Sequence, residues 1–424
     1  MMLDLTTKNR MPSEYPHYRL FFRNLAYQQF TYQTEFNLAA FARQSILFCN
    51  LPENHTFKRQ FEILTGFSID QFVELAFSVL IRFMVKEEHF VPRNWFSSIE
   101  HHFTKSIVEK FFQNISLDLP LLRKYLLGME TRKAGKANEY YEETPFIRYP
   151  LLQSQRGYES WHPTVLYRGL EYFIYDTLRA ADPSEFMSRF GPIFERYVEA
   201  SIAYLGLPFA TEAQLSAALP GQGKVVDFIL AEDDANVFMD AKGVEMAYLG
   251  KVSHRPDIVS DKLKESAIKG IRQGFDSARR LAEIGAVGPT IKSARENYLL
   301  IVTYKELYLG SGSDIYEAIA RPRLTELLAE YGGTEWIPFR HIYFLTIDDL
   351  DRLVQAVKLG QTSVVTTLRN AVAGDSVPSA KTFVLGQRIP GKKSGKGHPE
   401  MLELEFQRIT TKLENYFPQE MEKT

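Results

Sequence analysis

Between residues 68 and 89, SIDQFVELAFSVLIRFMVKEEH, apolar side chains recur at helical spacing. Phe72, Leu75, Ala76, Val79, Leu80 and Phe83 share one face, and Ser68 stands where an N-cap belongs. A second stripe of Phe96, Ile99, Phe103, Ile107 and Phe111 predicts one helix through 94–116. A third helix is expected over 162–183, and the polar stretch 131–150 reads as a loop. Residues 1–180 are therefore expected to form a mostly helical, aromatic-rich N-terminal domain.

Near residue 182 the pattern changes, and helical and strand periods alternate from there. Pro192 suits the first turn of a helix that Gly206 would stop. Two apolar runs, VVDFIL and VFMDAKG, flank an acidic turn and predict a hairpin over 225–242. A long helix follows over 261–285, then a buried strand in NYLLIVTY, a helical region broken at Pro322, and one more strand and helix over 341–360. The alternation indicates an α/β domain over 181–360. Residues 361–424 read as a C-terminal extension: a basic, glycine-rich loop in GQRIPGKKSGKGHPEM, then a terminal helix in LELEFQRITTKLENYF.

Composition narrows the class. A chain of 424 residues exceeds one ordinary core, so two domains are expected. With 45% hydrophobic and 24% charged residues, wholesale disorder is excluded. A net charge of −2 argues against indiscriminate coating of nucleic acid and leaves room for a localised basic groove. One cysteine, Cys49, excludes an internal disulfide framework or a cysteine metal cluster, which fits a reducing compartment. The first twenty residues lack the apolar core of a secretory signal, and no run of about 18 apolar residues appears. The expectation is a soluble cytoplasmic protein with no membrane partner.

The hairpin carries the candidate chemistry. Asp and Lys are poor strand formers, yet Asp227, Asp240 and Lys242 interrupt its apolar runs. Asp240 and Lys242 lie two residues apart and so point the same way, about 7 Å apart. A loop of two residues at Asp233-Asp234, or of four, sets Asp227 directly opposite Asp240, with β-carbons about 4.5–5.5 Å apart. A three-residue loop would shift that register. Two carboxylates so placed repel, so one holds a proton or a cation sits between them. A hard divalent ion such as Mg²⁺ takes such oxygens and keeps waters for a phosphate. A lysine beside it completes a site for phosphodiester hydrolysis. The simpler reading is a solvated hairpin edge with an Asp–Lys ion pair.

With Asp227, then DAK at 240–242, and Glu195 in F-E-R-Y-V on the preceding helix, the chain resembles the PD-(D/E)xK nuclease superfamily over about 170 residues. Val226 stands where the motif's proline would be. The resemblance implies a restriction-endonuclease-like core, with a central mixed sheet flanked by helices. It also implies a Mg²⁺- or Mn²⁺-dependent nuclease using one or two ions, acting on nucleic acid, DNA foremost, as an endonuclease. Asp227, Asp240, the Ala241 backbone carbonyl and Glu195 would hold metal, and Lys242 would position or activate the attacking water. Glu199, one turn along, competes with Glu195 for its role.

The long helix carries a polar stripe of Lys262, Ser266, Lys269 and Gln273 and an apolar stripe of Ile268, Ile271, Phe275 and Ala278. By the resemblance Gln273 and Lys269 are candidates to enter the site. Lys262, Lys269 and Arg272 are candidate nucleic-acid contacts, while Arg272, Arg279 and Arg280 read equally as surface charges. Proteins of this layout are often restriction or anti-phage defence nucleases, with the N-terminal domain choosing target or partner; a homodimer fits as well. The alternative is an inactive fold kept for nucleic-acid binding or assembly. GKKSGKGH lacks the spacing of a phosphate-binding P-loop, and His101-His102 lacks partner ligands for zinc. Cys49, after ILF, reads as a small buried hydrophobe.

Overall fold

The computed structural model describes residues 16–32, 37–85, 88–129, 144–219, 221, 223–391 and 398–416. The fold is mixed α/β, with a central mixed sheet flanked by helices. The described residues of Met1–Tyr27 and Ser188–Pro399 form one compact unit, and those of Gln28–Met187 and Glu400–Thr424 form another.

In the first unit the site-bearing elements are α1 (Pro183–Leu205, beginning just before the unit boundary), β1 (Phe209–Thr211), α2 (Glu212–Ala218), β2 (Phe228–Glu232), β3 (Ala235–Lys242), α3 (Pro256–Leu263) and α4 (Lys269–Ile284). They are followed by β4 (Glu296–Thr303), α5 (Gly312–Ala318), α6 (Arg321–Glu330), β5 (Ile342–Thr346), α7 (Ile347–Lys358) and α8 (Val364–Asp375). The sheet order is β5-β4-β3-β2-β1. The first two pairings are parallel and the last two antiparallel. β3, β4 and β5 are buried almost throughout, which is why they read as continuous apolar runs.

The hairpin has the two-residue turn. Glu232 pairs with Ala235 and Phe228 with Met239, and Asp233 takes a left-handed φ of 55° to close the loop. Asp227 sits one position before β2 begins, so the same register carries it opposite Asp240. Helix α4 covers the face of the sheet that holds Phe238, Leu299 and Ile301, burying Ile271, Phe275, Ala278 and Leu281 there. Gly270 and Gly274, one turn apart, let its backbone approach closely. A β-carbon on Gly274 would lie 2.8 Å from a methyl of Leu299.

Several local expectations change. Pro192 lies inside α1 rather than at its start. The helix tolerates it because Phe190, Ile193 and Phe194 are buried on both sides, offsetting a penalty of about 3 kcal/mol. Gly206, at φ 73°, does end it. The helix expected over 261–285 is part of a longer helical run with a wide π turn at Lys264–Ile268 joining α3 to α4. The extra residue there breaks the stripe drawn through Lys262 and Lys269. Helix α8 lies in a stretch where the sequence pattern was weak.

The domain limits also need correction. Residues 18–27 belong with the α/β unit, because two arginines anchor them there. Arg23 is buried and donates to the carbonyls of Gly250 and Leu307, and Arg19 pairs with Asp314 at 3.0 Å. The described residues of 361–399 also join that unit, whereas the terminal helix Glu400–Tyr416 joins the helical one. There it buries Leu402, Ile409 and Leu413, sets the Phe406 ring 5.5 Å from that of Phe77 at a tilt of 59° and pairs Lys412 with Glu74.

The helical unit is built on phenylalanine. Phe61, Phe72, Phe111 and Phe173 meet in one cluster, with Phe72 stacked on Phe173 at 4.6 Å. Helix Ile69–Leu80 starts on a full capping box between Ser68 and Gln71. The single helix expected over 94–116 is two pieces, a 3₁₀ turn Trp95–Ile99 and a helix Lys105–Ile115 that Thr104 caps. A small four-stranded sheet of Phe90–Pro92, Gly157–Ser160, Leu151–Gln153 and Ser116–Leu117 has no counterpart in the sequence reading. The loops read at 131–150 and around GKKSGKGH lie mostly outside the described residues. Among the described residues, no single helix is long and apolar enough to cross a membrane.

Candidate functional site

The carboxyl end of β3 gathers the charged residues. Asp240 is fully buried on the face covered by α4, and Lys242, two residues on, shares that face. Lys242 Nζ donates to Asp240 Oδ1 at 2.7 Å and to Gln273 Oε1 at 3.0 Å. Gln273 is itself held, its Nε2 donating to the carbonyl of Val225 at 2.9 Å. The lysine ammonium is thus fixed by two acceptors, leaving one of its three protons for another group. No N–H or hydroxyl among the described residues donates to Asp240 Oδ2, and a hydrogen bond between the Asp227 and Asp240 carboxyls forms only while one of them keeps a proton.

Asp227 is held from the other strand. The N–H of Ala241 donates to its Oδ2 at 2.6 Å. Ala241 thus meets Asp227 through its N–H, and its carbonyl, the ligand that the resemblance implies, stays part of the proposal. The position of the missing motif proline also has a use. The N–H of Val226 donates to Ser277 Oγ at 3.0 Å, tying the start of β2 to α4, and proline has no N–H to give.

Helix α1 supplies Glu195. Phe190 and Phe194 pack their rings 5.1 and 6.1 Å from Tyr304, which orients that face of the helix. A residue the sequence reading missed, Glu212 at the start of α2, completes the group. Glu195, Glu212 and Asp227 each place one carboxylate oxygen within 4.8 Å of the others. A glutamate in a first helical turn ordinarily reads as a complement to the helix dipole, so nothing in the local pattern marks Glu212. Glu199 is half-buried nearby and lies outside this trio.

Electrostatics record the crowding. Burial, then the Asp240 carboxylate, pushes Asp227 up to about 8, against the pull of the Ala241 N–H and Lys242. Burial also raises Asp240, opposed first by Lys242. Glu195 is raised by burial, then by Glu212, Glu199 and Asp240. Carboxyl groups in this state retain protons unless a cation replaces them. An all-oxygen donor set with a buried Asp240 oxygen that no N–H or hydroxyl reaches suits a hard divalent ion such as Mg²⁺ or Mn²⁺.

The other sequence candidates divide. Lys269 is half-buried, acts on Asp240 and lies 3.6 Å from Glu265. Lys262 is on the far side of the π turn beside Asp261 at 3.4 Å, and Arg272 is engaged by both oxygens of Glu330. Arg279 pairs with Glu283 at 2.6 Å, and Arg280 is buried with Nη1 donating to the Gly223 carbonyl. Burial pushes the Cys49 thiol up to about 12, as suits a small buried hydrophobe. The rings of His101 and His102 lie 4.1 Å apart at a tilt of 49°, and His102 lies against Tyr416.

No family model matches this chain, and no curated protein matches it in sequence.

Proposed function

We propose that the chain is a metal-dependent nuclease that hydrolyses phosphodiester bonds, with DNA as its substrate and internal cuts as its mode. The reading rests on one observation: the buried Asp240 carboxylate keeps an oxygen that no N–H or hydroxyl reaches while it faces Asp227 and holds Lys242. A structural ion pair has no need of a second, opposed carboxylate, and burying one costs free energy.

Asp227, Asp240, Glu195 and Glu212 would hold Mg²⁺ or Mn²⁺. The ion, when bound, supplies a polarised phosphate and a more acidic water. Lys242, fixed by Asp240 and Gln273, offers its remaining proton to a phosphate oxygen or to the attacking water. Gln273 acts by positioning that lysine. Lys269 adds positive charge beside Asp240, where a nucleic-acid backbone would pass.

The test is cleavage of plasmid, single-stranded DNA and RNA with Mg²⁺ or Mn²⁺, by wild type, Asp240→Ala and Lys242→Ala. Metal-dependent cleavage that both variants abolish supports the proposal. Undiminished cleavage in both overturns the site. Metal-independent binding without any cleavage would favour a non-catalytic binding module.

A further inference from the structure

A cavity of about 740 Å³ opens in the α/β unit, at the end of β4 away from the carboxylates. Its lining includes Arg295, Glu296 and Tyr298 from the start of that strand. Thr303, at the strand's far end, pairs with Lys242. At about 3.3 Å per residue the two places stand roughly 20 Å apart. Its volume falls in the range of small-molecule sites, about 300–1,000 Å³.

Most of the charges around it are committed. Arg369 pairs with Glu296 at 2.9 Å and with Asp234 at 2.6 Å. Lys381 pairs with Asp314 at 2.7 Å, and Asp375 meets Arg388 at 3.5 Å. Arg295 and Arg340 are different: both are exposed, and among the described residues neither has a hydrogen bond or ion pair. Arg295 acts on Asp234 only at longer range. Glu317 is the one lining carboxylate similarly uncommitted, so the free charge is two guanidinium groups against one carboxylate.

The floor is aromatic. His341 stacks on Tyr298 at 4.7 Å and 18°. Its Nδ1 lies 3.1 Å from the carbonyl of Asn297, so that nitrogen carries the proton and Nε2 remains an acceptor. The cavity therefore joins two free planar guanidinium groups, which match phosphate oxygens in pairs, to a flat ring surface with an acceptor nitrogen. It is too large for a bare inorganic ion.

We infer that this cavity binds a phosphate-bearing ligand of nucleotide size, with Arg295 and Arg340 as its anion-binding groups. The shared chemistry admits two sources, a free nucleotide or the terminal phosphate of a nucleic-acid strand. The inference is independent of the carboxylate site.

Calorimetric titration of the full chain in EDTA tests it, with AMP, ADP, adenosine, and 5′-phosphorylated and unphosphorylated oligonucleotides as probes. A phosphate-bearing probe should bind more tightly than its unphosphorylated partner. The Arg295→Ala/Arg340→Ala variant should weaken it by about tenfold or more. Arg340→Ala alone should move affinity the same way should the double variant fail to fold. Asp240→Asn should leave the preference for the phosphate-bearing probe unchanged, whatever it does to cleavage. Binding of AMP or ADP assigns the free nucleotide, and binding confined to the phosphorylated strand assigns the strand end. Absence of binding by every phosphate probe, or affinity indifferent to the arginine substitutions, overturns the inference.

Discussion

A β-carbon on Gly270 would stand 2.6 Å from Asp240 Oδ2 and 2.8 Å from a side-chain carbon of Ile301. The first turn of α4 is thus pressed directly against the buried carboxylate. Glycine is what permits that approach. Gly270→Ala should push helix and carboxylate apart, costing about 1–3 kcal/mol of stability. It should lower cleavage as well. Urea unfolding measures the first effect and a plasmid assay the second; an alanine variant of unchanged stability would contradict the packing described.

Asp240→Asn separates stability from activity. The substitution removes a charge whose burial is unfavourable, while the part-exposed Lys242 can turn toward water. In the absence of metal at pH 8 the Tm should hold or rise. Cleavage should fall by about 100-fold or more. A large fall in Tm would mean that the Asp240–Lys242 pair is mainly structural.

Asp227 makes the metal-free protein sensitive to pH. Its folded pKa of about 8 lies above the ordinary aspartate value of 3.8. A raised carboxyl pKa means the folded state binds the proton more tightly than the unfolded state. Its contribution to stability is complete below the unfolded pKa and is lost as pH rises through the folded one. Melts in EDTA from about pH 4 to about pH 9 should show Tm falling with pH, and Asp227→Asn should flatten the slope. Added Mn²⁺ should raise Tm most at the alkaline end, because binding displaces the retained protons.

Glu212 should matter to the ion and little to the fold. Glu212→Gln should weaken Mn²⁺ binding by about tenfold in calorimetry. Glu199→Gln, outside the trio of close oxygens, should change it less. Equal effects would remove the distinction drawn between the two glutamates.

Removing residues 400–424 should damage the helical unit. The truncation strips Leu402, Ile409 and Leu413 from its core and leaves Glu74 without Lys412. Faster limited proteolysis within residues 38–80 is the expected readout.

Much of this was legible in the linear pattern. A strand's side-chain period of two is a local property, so the sequence alone put Lys242 beside Asp240, and Asp227 opposite Asp240 for a loop of two or four residues; the structure decided the turn. The same holds for helix Ile69–Leu80, whose stripe and cap lie within a few residues of each other. The stripe through Lys262 failed because one extra residue in a π turn resets a 3.6-residue period. Glu212 and the attachment of helix 400–416 came only from the tertiary structure. An apolar helical face says that something must cover it and does not say what. A glutamate at a helix start looks the same whether it faces water or, as here, the carboxylates of another helix and a strand. Periodicity fixes which way a side chain points within its own element; which charges it meets is decided when distant segments pack.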